Sequence, residues 1–123
     1  MFDHIGLHVT DLPASVRFYR AALGALGHVP GSQGEDYAGF GPAGAAALWL
    51  HKAAHAGRGH VAFQAASPDA VRRFHAAGLE AGGRDNGAPG PRPDYGPTYY
   101  AAFLLAPDGH NVEAVCYVAE GAR

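Results

Sequence analysis

Two histidines and one glutamate carry the chemistry this sequence promises. His4 and His60 open two similar stretches of chain, and Glu113 stands among Val112, Ala114, Val115 and Cys116 close to the end. A carboxylate in such apolar company is costly to bury unpaired, and a cation would remove that cost. Two imidazoles and a carboxylate on three separate strands make a facial set of ligands with open positions, as in catalytic zinc and non-haem iron sites. A divalent ion such as zinc, nickel, manganese or ferrous iron is therefore expected. Cys116 is the only cysteine, so an intramolecular disulfide and a multi-thiolate metal site are both excluded.

The elements that must position these groups are marked by an internal repeat. Residues 3–27 match residues 59–83 at a constant offset of 56, with eight identities that include His4 with His60, Arg17 with Arg73, Phe18 with Phe74 and Gly27 with Gly83. Each copy opens with the alternation of a strand. Ile5, Leu7 and Val9 share one face and His4, Gly6 and His8 the other; Val61 and Phe63 oppose His60, Ala62 and Gln64. A helix follows in each copy. Thr10 or Asp11 caps the first ahead of Pro13, and Ser67 caps the second ahead of Pro68. Ala14, Phe18, Ala21 and Ala25 then recur at helical spacing, as do Ala70, Phe74, Ala77 and Ala81, and glycine stops both helices at Gly27 and Gly82–Gly83.

The remaining segments read as strands near Tyr37–Phe40, Ala46–His51, Tyr99–Leu105 and His110–Tyr117, the last two joined across Ala106-Pro107-Asp108-Gly109. Residues 84–97, rich in Gly, Pro, Asn and Asp, read as a long loop. At 123 residues, 48% hydrophobic, the chain suits one domain with one core. Its halves run from about 1 to 56 and about 57 to 123. This order predicts an α+β fold, with antiparallel sheets curved around a shared cavity and helices outside. Parity then sends His4, His8, His60, Asn111 and Glu113 into the cavity. His28, His55, His75 and His110 are expected on turns or exposed helix surface.

At these residues the sequence resembles the vicinal oxygen chelate superfamily, which includes glyoxalase I, extradiol dioxygenases, fosfomycin resistance enzymes and bleomycin resistance proteins. The resemblance rests on Asp3-His4-Ile5, Asp11-Leu12, Phe18-Tyr19, Gly59-His60-Val61-Ala62-Phe63, and the run from Phe103 through Pro107-Asp108-Gly109-His110-Asn111-Val112-Glu113. It implies two βαβββ modules forming a cupped, incompletely closed eight-stranded barrel, with metal ligands at His4, His60 and Glu113. In glyoxalase I a second carboxylate on the last strand of the first module completes the metal shell. Trp49 stands at the matching position here and cannot ligate, while His51, two residues on, is a candidate fourth ligand or general base.

The resulting expectation is a metal-dependent, glyoxalase-like lyase or isomerase acting on a small oxygen-chelating metabolite. Glu113, His8 and His51 are its candidate proton acceptors, and Trp49, Arg92, Tyr95, Tyr99 and Asn111 its candidate substrate contacts. The alternatives are an Fe(II) extradiol-type dioxygenase and a non-catalytic binding protein of bleomycin-resistance type. A net charge of −2 with scattered Lys and Arg excludes nucleic acid and anionic membrane as partners. No apolar run approaches a bilayer span and no signal peptide is recognisable, so a cytoplasmic protein is expected. Two open-sided half-barrels also predict a homodimer, by sharing edges or exchanging modules.

Overall fold

A computed structural model describes residues 1–118. In chain order its elements are β1 (Ile5–Val9), α1 (Leu12–Gly24), β2 (Val29–Gln33), β3 (Tyr37–Gly41), β4 (Leu48–Lys52), β5 (His60–Gln64), α2 (Pro68–Glu80), β6 (Arg84–Pro91), β7 (Tyr99–Leu105) and β8 (Asn111–Tyr117). Each half of the chain is thus a βαβββ unit. The strand orders are β1-β4-β3-β2 and β5-β8-β7-β6, two separate four-stranded sheets that leave the barrel incompletely closed. Both sheets are mixed rather than antiparallel. The helix after each first strand returns the chain so that β1 pairs parallel to β4, and β5 parallel to β8.

Local sequence explains the helix limits. The Asp11 side chain accepts the Ala14 N–H at the start of α1, and Ser67 does the same for Ala70 in α2, with proline in each first turn. Gly27 and Gly82, at φ 93° and 101°, supply the left-handed residues just beyond the helix ends. Two elements depart from the sequence reading. Val29–Gln33, exposed throughout, is an additional edge strand, and the expected 84–97 loop is a strand as far as Pro91. Backbone pairing to β3 and β7, with register shifts in both, holds these segments in place without an apolar repeat to announce them.

The core lies between the sheets and the helices, built on Val9, Phe18, Phe40, Leu50, Val71, Phe74, Leu104 and Val112. Gly78 of α2 sits where a Cβ would run into Leu104 and come within 3.2 Å of Phe18, so its lack of a side chain lets α2 lie close to α1 and β7. No helix among the described residues is long and apolar enough to cross a membrane.

The β7–β8 turn ties the second half to the first. Asp108 accepts the Thr10 N–H and hydroxyl at 3.2 and 2.7 Å on one oxygen and the Ser15 hydroxyl at 2.6 Å on the other. His110, expected on a turn surface, is instead 3% exposed. Its Nδ1 accepts the Gly59 N–H, which leaves Nε2 to donate to the His8 carbonyl at 2.8 Å. His75 is also buried, against expectation, with Nε2 2.9 Å from Asp85.

Burial disfavours the Asp108 charge, but hydrogen bonds from Ser15, Thr10 and the Asp11 backbone outweigh it and hold its pKa below the usual carboxyl value. A depressed folded pKa contributes stability above the unfolded value that is lost as pH falls through the folded one. Asp108→Ala should therefore cost about 1.5–3 kcal/mol at pH 7, the worth of hydrogen bonds to a charged group. Urea denaturation of both proteins should show that difference shrinking once the pH drops below about 4.

Candidate functional site

Burial along the two opening strands follows the predicted parity, whereas β8 is buried on both faces from Val112 to Cys116. On β1, Leu7 and Val9 are buried while Gly6 and His8 are exposed; on β5, Val61 and Phe63 are half-buried while His60, Ala62 and Gln64 are exposed. Each sheet thus keeps one face toward the core and presents the other outward. The chemistry-bearing side chains occupy the outward faces.

On the second sheet, the β5–β8 register sets His60 beside Asn111 and Ala62 beside Glu113, which places His60 and Glu113 on one face, offset by two residues. His60 Nε2 lies 3.1 Å from Glu113 Oε1. Tyr99 on β7 donates its hydroxyl to Glu113 Oε2. Glu113 is only 3% exposed, whereas the His60 side chain is 49% exposed and forms the accessible side of the pair. The buried carboxylate is therefore met by two hydrogen-bonding groups rather than left to require a cation. Phe103, directly across from Glu113, stacks on the His60 ring with centroids 6.3 Å apart and planes at 20°.

Tyr99 is itself confined, edge-on to Tyr95 and Tyr117 at 5.2 and 5.3 Å. Desolvation first, then its bond to Glu113, pushes the Tyr99 hydroxyl well above the usual phenol range, so it stays a proton donor. Arg92 lies over the Phe103 ring at 5.4 Å and donates to the carbonyls of Ala88, Gly90 and Pro91, which folds the end of β6 around its guanidinium. Asn111 points a buried Oδ1 that has no hydrogen-bond partner among the described residues.

On the first sheet, β1 and β4 pair so that Gly6 meets Trp49 and His8 meets His51. Gly6 leaves the space into which the His51 ring leans, 3.5 Å from where a Cβ would be. Trp49 packs flat over Gly39, a position where any Cβ would strike the indole, and against Tyr37 at 6.4 Å. The outward face of this sheet is thus an aromatic wall with two imidazoles beside it.

His4 precedes β1 and is 61% exposed, with Nδ1 2.6 Å from the Asp3 carboxylate. That contact commits Nδ1 and leaves Nε2 free to bind, the arrangement of a histidine ligand supported by a neighbouring carboxylate. It borders a cavity of ≈ 170 Å³ with Phe40, Leu48, Ala62 and Phe63. Within one chain, then, His60 and Glu113 come together and His4 stands apart. Among the described residues no three His, Cys, Asp or Glu side chains gather as a ligand set. Asp3, Phe103 and the Tyr99–Glu113 bond were not anticipated as parts of the site. The hairpin turn pairs residues whose numbers sum to 216, so the placement of Phe103 opposite Glu113 was available from the sequence.

Paired βαβββ units with a His–Glu pair on the outward face define the class as a vicinal oxygen chelate fold. The sequence profile of the Glyoxalase/Bleomycin resistance protein/Dioxygenase superfamily matches residues 1–114. A glyoxalase/bleomycin resistance protein from Albidiferax ferrireducens is 33% identical, with a TM-score of 0.83 over 94% of this chain and 98% of that one. The chain belongs to the glyoxalase/bleomycin resistance protein/dioxygenase superfamily. A glyoxalase I mutant from Zea mays is 26% identical, with a TM-score of 0.68 over 91% of this chain and 44% of that one. A family enzyme from Burkholderia phytofirmans shares the fold at 15% identity, with a TM-score of 0.73 over 94% and 98% of the two chains. No curated protein matches the sequence.

Proposed function

We propose that the protein is a cytoplasmic, glyoxalase-like metal-dependent lyase or isomerase acting on a small metabolite that chelates through neighbouring oxygens. In this reading it works as a homodimer, with His60 and Glu113 of one chain joined by His4 of a second copy. The observation that carries the reading is the His60–Glu113 pair. Two ligand atoms bound to one ion at about 2.0–2.2 Å stand roughly 3 Å apart, which the 3.1 Å between Nε2 and Oε1 matches. The outward, solvent-facing His4 supports the dimer, since one chain gathers two of the three ligands. When bound, a divalent ion there would act as a Lewis acid toward substrate oxygens.

The chain's own residues divide the remaining work. Tyr99 holds Glu113 Oε2, so Oε1 is the oxygen left to ligate, and Phe103 fixes the plane of the His60 ring. Asp3 holds His4 by Nδ1. His8 and His51, side by side on the other sheet, are the candidate acceptors for a substrate proton, and Trp49 with Tyr37 supplies a wall that excludes water.

Calorimetric titration with Zn²⁺ and Ni²⁺, together with elemental analysis of the purified protein, tests this reading. One ion per candidate site is expected, with binding lost in Glu113→Ala and weakened about 10–100-fold in Tyr99→Phe. Binding unchanged in Glu113→Ala would sink the site assignment. Stoichiometric iron with cleavage of a catechol ring would replace the lyase with the dioxygenase. No ion bound at all would make the protein a small-molecule binder.

A further inference from the structure

Beside His60 lies a cleft of ≈ 680 Å³, bordered by residues 57–60, by Arg84 and Asn86 of β6, and by the β7–β8 turn with Asn111. Two of its walls carry arginines, Arg58 from the connection before β5 and Arg84 at the start of β6. Both are exposed. Neither guanidinium has a hydrogen-bond or ion-pair partner among the described residues, although the Arg84 backbone pairs with Leu105 in the β6–β7 ladder. Arg20 on α1 is likewise unpartnered, but Arg17 is engaged with the Glu80 carbonyl, Arg72 with Tyr100, Arg73 with Asp69, and Arg92 with three carbonyls. Asp108 is the only carboxylate on the rim, and both its oxygens are already taken by Thr10 and Ser15. Those neutral donors leave Asp108 its charge, but the two guanidinium groups outnumber it, so the cleft is net positive, with the amides of Asn86 and Asn111 beside it.

We propose that this cleft binds an oxyanionic group of the substrate, a carboxylate or a phosphoryl, between Arg58 and Arg84. Guanidinium groups present paired N–H donors that match the oxygens of either anion and keep their charge at any working pH. Two like charges left unpaired around one concave surface also draw anions toward it. His60 borders both this cleft and Glu113, so an anion held here would extend the rest of its molecule toward the His60–Glu113 pair. This substrate class, a small acid bearing chelating oxygens, rests on the function proposed above. The anion cleft itself does not require a metal.

The probes are malonate and inorganic phosphate, titrated into the full-length, metal-free protein and followed by calorimetry and amide NMR shifts. Saturable binding is expected for at least one of them. Arg58→Gln and Arg84→Gln should each weaken it about tenfold or more, the loss of a charge-assisted hydrogen bond. Arg20→Gln, an exposed charge on α1, should leave it within about twofold. Tighter malonate binding marks a carboxylate substrate and tighter phosphate a phosphoryl one. No saturable binding, or equal weakening by Arg20→Gln, overturns the proposal. Glu113→Ala keeps the anion bound if the cleft is real, and anion binding by an unsubstituted protein that takes up no metal ion would sink the metal reading and spare the cleft.

Discussion

An equimolar mixture of His4→Ala and Glu113→Ala chains should recover about one quarter of the metal sites, although each variant alone recovers none. The expectation follows from the separation of His4 from the His60–Glu113 pair within a chain. If each site takes His4 from one copy and His60 with Glu113 from the other, a mixed dimer holds one site with both lesions and one with neither. Random pairing makes half of the dimers mixed, which gives the quarter. Were all three ligands drawn from one chain, every site in the mixture would carry a lesion and recovery would be nil. Co-expression of differently tagged chains, followed by elemental analysis of the doubly tagged fraction, where one site of each two and thus about half should be filled, distinguishes the two arrangements. Both substitutions fall where the fold tolerates them differently: His4 is exposed, while Glu113 is buried. Glu113→Gln, which keeps the shape and the Tyr99 contact, is the companion that separates lost ligation from lost folding.

Phe18→Ala should be the most damaging single substitution to stability, at about 3–5 kcal/mol. Phe18 belongs to the first half but is fully buried against the second, where the absent side chains of Gly78 and Gly83 make room for its ring. It also meets Tyr19 edge-on at 5.0 Å. The residues beneath it, Gly78 and Gly83, have no side chains to fill the space. Against a total of about 5–15 kcal/mol for a domain, that loss is large. Urea unfolding followed by circular dichroism measures it, and a loss below about 1 kcal/mol would show that the two halves close around a smaller residue.

The sequence is legible where side chains alternate or repeat. The shared register of residues 3–27 and 59–83 located β1, β5 and both helices, and strand parity placed His60 and Glu113 on one face. It is illegible where backbone bonds alone define a strand. Val29-Pro30-Gly31-Ser32-Gln33 has no apolar face, and β6 runs through glycines and prolines with shifts of register at Gly87. His75 and His110 misled because a lone histidine reads as surface; the partners that justify their burial, Asp85, Gly59 and His8, are set by tertiary contacts. His4 lies one residue before β1, and its distance from Glu113 depends on how two halves face each other, which no local pattern encodes.

The Asp108 and His110 clamp bears on the order in which the molecule can be completed. Its bonds join residues 98, 93 and 102 positions apart, from a turn in the last hairpin to the end of β1 and the first turn of α1. On the ribosome, the opening strand and helix are made first but wait for residue 108 before their junction is fully bonded. Closing such a span carries a chain-entropy cost that only late, non-local contacts repay. The hairpin of β7 and β8 thus finishes the first helix, and the strand that follows His4 acquires its final support only once residues 108 and 110 have emerged.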